Sequence, residues 1–293
     1  MFSIVLGRVG MAASLSAMLL AAGCGGSDEP APPAASSSPA VSAAPDKAPA
    51  AQETVDDTDV SVDSELLPYA EIGDVLYYGH FAFPSDMIEP LPAIVLIHDV
   101  WGLNDDIRAM ADRIAARGYM VLAVNLYGRD ATKDVVEARQ LTIKVVEDPV
   151  ATADNIRQAL DFVGVAGAPV KAALGFGLGG TWSLNAAQQF PEQIDAAVTY
   201  YGQVTADEGR LAAIDAPILG FFGERDRAVS ISSVTDFEAA MRRLGKQPTV
   251  QIYSDAGHAF ADPSRRGFDA ELADDAWQRT LDFLTENLAS DES

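Results

Sequence analysis

The chain has 293 residues, 48% of them hydrophobic, and a formal net charge of −23. Such a length and apolar content can bury a substantial core, while the charge argues against partners with phosphate backbones or anionic headgroups. Three histidines and one cysteine, Cys24, rule out a disulfide within the chain and argue against a structural zinc site; nothing calls for a metal or a cofactor.

In chain order, Arg8 precedes an apolar run from Val9 to Ala22 that ends in Leu20-Ala21-Ala22-Gly23-Cys24. The run is short for a membrane span and stops at small residues, so it resembles a bacterial lipoprotein signal whose cysteine carries the lipid. That implies removal of residues 1–23, lipidation of Cys24 and export to the periplasm or cell surface. The lipid at Cys24 would be the only contact with the membrane. Residues 24–63 are rich in Pro, Ala, Ser and Asp and carry hardly an aromatic, so they cannot offset their ordering entropy by burial. They are expected to form a tether spanning roughly 35 Å on average.

From Ser64 to the end of the chain a single α/β domain is expected. Val75 to Phe83 is strand-like, and Ala93 to His98 is a continuous apolar run typical of strands covered on both faces. Asn104 caps a helix with Asp105 and Asp106 in its first turn, Ile107, Met110, Ala111, Ile114 and Ala115 on one face, and Gly118 after its end. Strands are expected at Tyr119–Val124, Val170–Leu174, Asp195–Tyr201, Pro217–Phe222 and Thr249–Tyr253. Helices are expected at Asp134–Glu147, Val150–Val163, Ser232–Leu244 and Ala270–Leu288. This alternation predicts a doubly wound, mostly parallel sheet with helices on both faces and ligands at the carboxyl ends of the strands.

The stretch from Lys171 to Phe190 reads as a strand, a glycine-packed turn and a helix. Hydrolases of the α/β class hold their nucleophile in such an elbow, G-x-nucleophile-x-G. Gly175, Gly179 and Gly180 supply the small flanks, but Gly177 stands where Ser or Cys should be. Thr181 and Ser183 lie in the following helix, away from the elbow geometry. Gly223-Glu224-Arg225-Asp226 follows a later strand and Ala256-Gly257-His258-Ala259-Phe260 the next. The order nucleophile position, acid, histidine is therefore that of an α/β-hydrolase triad.

Together with His98-Asp99-Val100-Trp101-Gly102-Leu103-Asn104, Leu126-Tyr127-Gly128 and Tyr200-Tyr201-Gly202, these loops resemble the dienelactone hydrolase family over residues 66–288. The resemblance implies the α/β-hydrolase fold and hydrolysis of lactones and other carboxylic esters by a Cys-His-Asp triad without a metal. It implies Asp226 and His258 as acid and base, and the backbone N–H groups of Leu178 and Val100 as the oxyanion hole. Asp99 stands where the family has a glutamate against the resting thiol. Glycine at position 177 can form no acyl-enzyme. The expectation is a hydrolase impaired in covalent catalysis, with weak activation of water by His258 and Asp226, or else a small-molecule-binding pseudo-hydrolase.

Trp101, Tyr127, Phe176, Tyr201 and Phe260 are expected as cleft walls, with Arg129, Arg265 and Arg266 available to a substrate carboxylate. His98 is expected to be structural, and His80 lies outside these motifs. The expected partner is a small ester or lactone, met by a monomer. A rival reading takes Gly175-x-Gly177-x-x-Gly180 as a dinucleotide-binding fingerprint. It is weakened by its late place in the chain and by Tyr200-Tyr201-Gly202 where a ribose-binding acid should stand.

Overall fold

The computed structural model describes residues 60–86 and 90–289; the signal segment, Cys24 and residues 24–59 of the expected tether lie outside them. The strands are β1 (Val62–Ile72), β2 (Val75–Pro84), β3 (Ala93–Ile97), β4 (Met120–Val124), β5 (Lys171–Phe176), β6 (Ala196–Tyr200), β7 (Ile218–Gly223) and β8 (Thr249–Tyr253). They form one sheet in the order β1-β2-β4-β3-β5-β6-β7-β8. β2 runs antiparallel to both β1 and β4, and all later pairings are parallel. The expected doubly wound sheet is present, as an α/β-hydrolase fold.

Among the described residues seven helices connect and cover the strands: α1 (Asp105–Ala115), α2 (Val135–Glu147), α3 (Pro149–Val165), α4 (Leu178–Gln189), α5 (Glu208–Leu211), α6 (Ile231–Arg243) and α7 (Ala270–Asn287). Local chemistry sets their starts. Asn104 accepts a hydrogen bond from Ile107 N at 2.9 Å, Asp134 caps α2, and Asp148 caps α3 with Pro149 in its first turn.

The continuous apolar strands are apolar because both faces are covered. In β3, Val95 and Ile97 join a layer with Ile156 and Trp182, while Ile94 and Leu96 join the opposite layer with Ile114, Trp277 and Leu284. All five residues of β3 are fully buried, so the strand cannot alternate with polar residues.

Two elements differ from the expectation. β1 is a full strand beginning at Val62, two residues inside the expected tether, and α5 is a short helix that was not foreseen. β1 is an edge strand with Leu66 60% exposed, and its register shifts between Pro68 and Ala70. An edge position tolerates proline and leaves no clean alternation to read.

Candidate active site

Five loops converge at the carboxyl edge of the parallel strands. They carry Asp99 after β3, Gly177 after β5, Tyr201 after β6, Asp226 after β7 and His258 after β8. The elbow is held by glycines that admit no side chain. A Cβ on Gly175 would stand 2.2 Å from the Gly179 backbone, and one on Gly179 would stand 2.0 Å from Ile97 O. A Cβ on Gly180 would stand 2.7 Å from Thr199 Oγ1, and one on Gly202 2.4 Å from Gly180 C. Backbone packs on backbone or on a buried hydroxyl at these four glycines.

Gly177 is different. It has φ 53° and ψ −110°, precedes α4, and donates its N–H to Tyr200 O at 2.9 Å. A Cβ built on it would lie 3.8 Å from Asp99 Cβ and 3.9 Å from His258 Nε2, both ordinary contacts. The slot has room for a side chain, faces the imidazole and carries none. The two hydroxyls in the following helix are committed elsewhere. Ser183 is fully buried and donates to Gly180 O and Val198 O, and Thr181 Oγ1 accepts from Gln203 N at 2.8 Å.

His258 Nδ1 lies 2.7 Å from Asp226 Oδ2, leaving Nε2 directed at the elbow. The side chain of Asp226 is 1% exposed, and its other oxygen accepts from Ala228 N at 2.7 Å and Val229 N at 3.0 Å. Burial pushes the Asp226 carboxyl up, but the bond to His258 and the two backbone donors outweigh it and hold the group below the usual carboxylate range. Tyr201 presses its ring on His258 at 5.2 Å between centroids. Tyr201 and Ala259, with φ 43° and 58°, are the non-glycine residues with positive φ among the described ones, so backbone strain gathers around this histidine.

His98 is fully buried, and burial lowers its pKa to about 4, which keeps it neutral. Its Nδ1 donates to Asp99 O at 2.6 Å, and its Nε2 accepts from Leu126 N at 3.0 Å. The first bond grips the carbonyl of the Asp99–Val100 peptide and so orients the Val100 N–H. Tyr127 Oη donates to Val100 O at 3.0 Å and steadies the next peptide. Leu178, the other expected oxyanion donor, opens α4, so its N–H has no acceptor within the helix and lies at the positive end of the helix dipole.

Residues 78–288 match the Dienelactone hydrolase family. The chain belongs to that family. A relative described as "Putative carboxymethylenebutenolidase" from Escherichia coli K12 is 29% identical over 258 residues, covering 82% of this chain and 93% of its own. "Protein usf" of Aquifex pyrophilus is 31% identical over 205 residues, covering 67% of this chain and 89% of its own. Among solved structures, the dienelactone hydrolase-like promiscuous phosphotriesterase P91 from metagenomic libraries superposes with a TM-score of 0.71 at 22% identity. It covers 78% of this chain and 99% of its own, a likeness in fold.

On the side of Tyr201 that also meets Asp99 and Phe176, this dienelactone hydrolase family member has a cavity of about 210 Å³; its lining includes those three residues but neither His258 nor Asp226. Three expected wall residues stand elsewhere. Phe260 is fully buried beneath Tyr201 and Tyr253 and is core. Tyr127 holds Val100 O and lines a separate cavity with Leu126, Leu141 and Val145. Trp101 lines a neighbouring groove, its ring 3.8 Å under the guanidinium of Arg265. Of the three arginines expected to meet a substrate carboxylate, Arg129 pairs with Glu137 at 2.8 Å and Arg265 with Asp262 at 3.3 Å, while Arg266 is exposed. Ile107 and Met110 of α1, Arg113 and Asp262 line the cavity without having been singled out. Aromatic residue type alone does not tell which side of a loop a ring takes.

Proposed function

We propose that this chain is a carboxylic-ester or lactone hydrolase that has given up covalent catalysis and works slowly, by direct attack of water on the bound carbonyl. The observation that carries this is Gly177, which lacks a reactive atom in a slot that still faces His258 Nε2 at 3.9 Å from the position of a Cβ. In this reading the clearance left in front of Gly177, beside the imidazole, is taken by one water. In this reading His258 Nε2 takes a proton from that water as its oxygen bonds to the carbonyl carbon, and Asp226 holds the resulting imidazolium through Nδ1–H. The N–H groups of Leu178 and Val100 receive the oxyanion. The intermediate collapses by expelling the alkoxide, which takes the same proton back from Nε2, leaving acid and alcohol. In proteases stripped of a triad member, such residual machinery retains roughly 10³–10⁴-fold acceleration over water.

Hydrolysis of a short activated ester tests this. Slow turnover with no burst and no acyl adduct by mass spectrometry, abolished in His258→Ala, is the expected result. Turnover indifferent to His258→Ala, or an adduct in the native protein, would overturn it. A second reading, binding without turnover, draws support from Asp226 Oδ1, which holds its own loop through Ala228 and Val229 whether or not the histidine works. Silence in the native protein with turnover in Gly177→Cys would favour that reading. The N-terminal pattern supports an exported protein anchored at Cys24, and loss of palmitate incorporation in Cys24→Ser tests that part.

A further inference from the structure

The cavity bordered by Asp99, Phe176 and Tyr201 lies between the loop after β3, helix α1 and the segment following His258, and it is joined to the dyad through Tyr201, whose ring packs on His258. Its apolar walls include Ile107, Met110, Phe176 and Tyr201, and its charged lining is Asp99, Asp106, Asp262 and Arg113. Three carboxylates thus face one guanidinium, and that guanidinium lies 4.0 Å over the ring of Trp277. A second guanidinium, Arg265, pairs with Asp262, stacks on Trp101 and lines the neighbouring groove, so it offsets part of the acidic charge without lining this cavity. Asp262 is fixed in place by accepting from Ser264 N at 2.8 Å and from the Ser264 hydroxyl at 2.6 Å, and its side chain is 17% exposed. A carboxylate entering this space would meet like charge in a partly desolvated setting, where the repulsion is poorly screened. The net charge of −23 disfavours its approach at longer range.

We propose that this cavity takes small, uncharged, apolar esters and lactones and rejects carboxylate-bearing ones, with Asp99 and Asp262 setting the preference. The proposal rests on the hydrolase reading for the chemistry but concerns recognition, so the two can fail separately. An aromatic and aliphatic pocket supplies burial for a short acyl chain or a lactone ring. The acids supply discrimination by repulsion.

Binding is read without turnover by ligand-observed NMR on the native protein, comparing γ-butyrolactone with its carboxylated counterpart, 5-oxotetrahydrofuran-2-carboxylate. Turnover is read in Gly177→Cys with p-nitrophenyl butyrate against p-nitrophenyl hemisuccinate, esters of similar length that differ in a terminal carboxylate. The expected result is at least about a tenfold preference for the uncharged member of each pair at low salt. The ratio should narrow in Asp262→Asn, which removes one charge and releases Arg265 from its ion pair. Equal or better binding of the carboxylated lactone, or failure of the neutral lactone to bind, would overturn the proposal. Neutral lactone bound by a native protein that hydrolyses nothing would leave it standing while sinking water attack.

Discussion

Two kinds of glycine meet at the elbow. Gly175, Gly179, Gly180 and Gly202 sit where a Cβ would collide with backbone or a buried hydroxyl, at 2.0 to 2.7 Å. Gly177, in the middle of them, has ordinary clearance to its neighbours and only its φ of 53° favours the residue type. The first group is dictated by packing. Gly177 is favoured by its backbone conformation and not by packing, and the space in front of it is open to a Cβ.

The largest effect that can break this contrast is expected at the framework. Gly179→Ala drives a methyl into Ile97 O, and a loss of more than about 4 kcal/mol, or no soluble protein, is expected in chemical denaturation. Stability within about 1 kcal/mol of native would show that the elbow is not packed this way. Gly177→Cys meets no clash and should cost only about 1–3 kcal/mol for its positive φ, while adding a burst phase and roughly 10²-fold or more in ester turnover. An equally severe loss of stability at both positions would erase the distinction.

The smallest effect sharpens the contrast from the neighbour across the slot. Burial pushes Asp99 up to about 6 and Asp262 adds to this, against the Trp101 N–H bond and the charges of Arg265 and His258. A carboxyl raised from 3.8 contributes stability that is present below about pH 4 and lost as pH rises through 6. His98, lowered from 6.5 to about 4, behaves oppositely: its contribution is present above pH 6.5 and lost as pH falls through 4. Adjacent residues therefore oppose one another across the same window. Asp99→Asn should gain about 1–2 kcal/mol at pH 8 and nothing below pH 4, and should expose the slope of His98 between them. A gain independent of pH in denaturant titrations would assign the effect to something other than the buried charge.

Most of this architecture was legible in the chain. The run AIVLI announces a strand covered on both faces, because nothing polar can be placed there, and Asn104 announces α1 by the hydrogen bond it makes. The acid and histidine loops were legible because each follows a strand in hydrolase order. β1 was hidden: an edge strand holding Pro68 and an exposed Leu66 has no period to detect. The cavity was only half visible, for Phe260 and Tyr127 were nominated by residue type, whereas Ile107 and Met110 reach it through the placement of α1. Gly202 stands in the motif Tyr200-Tyr201-Gly202, but its close approach to Gly180 joins the loop after β6 to α4 and cannot be read from either alone.

The two oxygens of Asp226 lead different lives, one on the histidine and one on the backbone of its own loop. On the reading proposed above, this imposes an order on how such a site decays through descent. A glycine at the elbow relieves strain, so the reactive atom can be shed without harm to the fold. Asp226 cannot follow so easily, because replacing it strands two backbone donors. A lineage that no longer needs the chemistry would thus go on inheriting an aligned acid and base, and would stay one substitution away from recovering the enzyme.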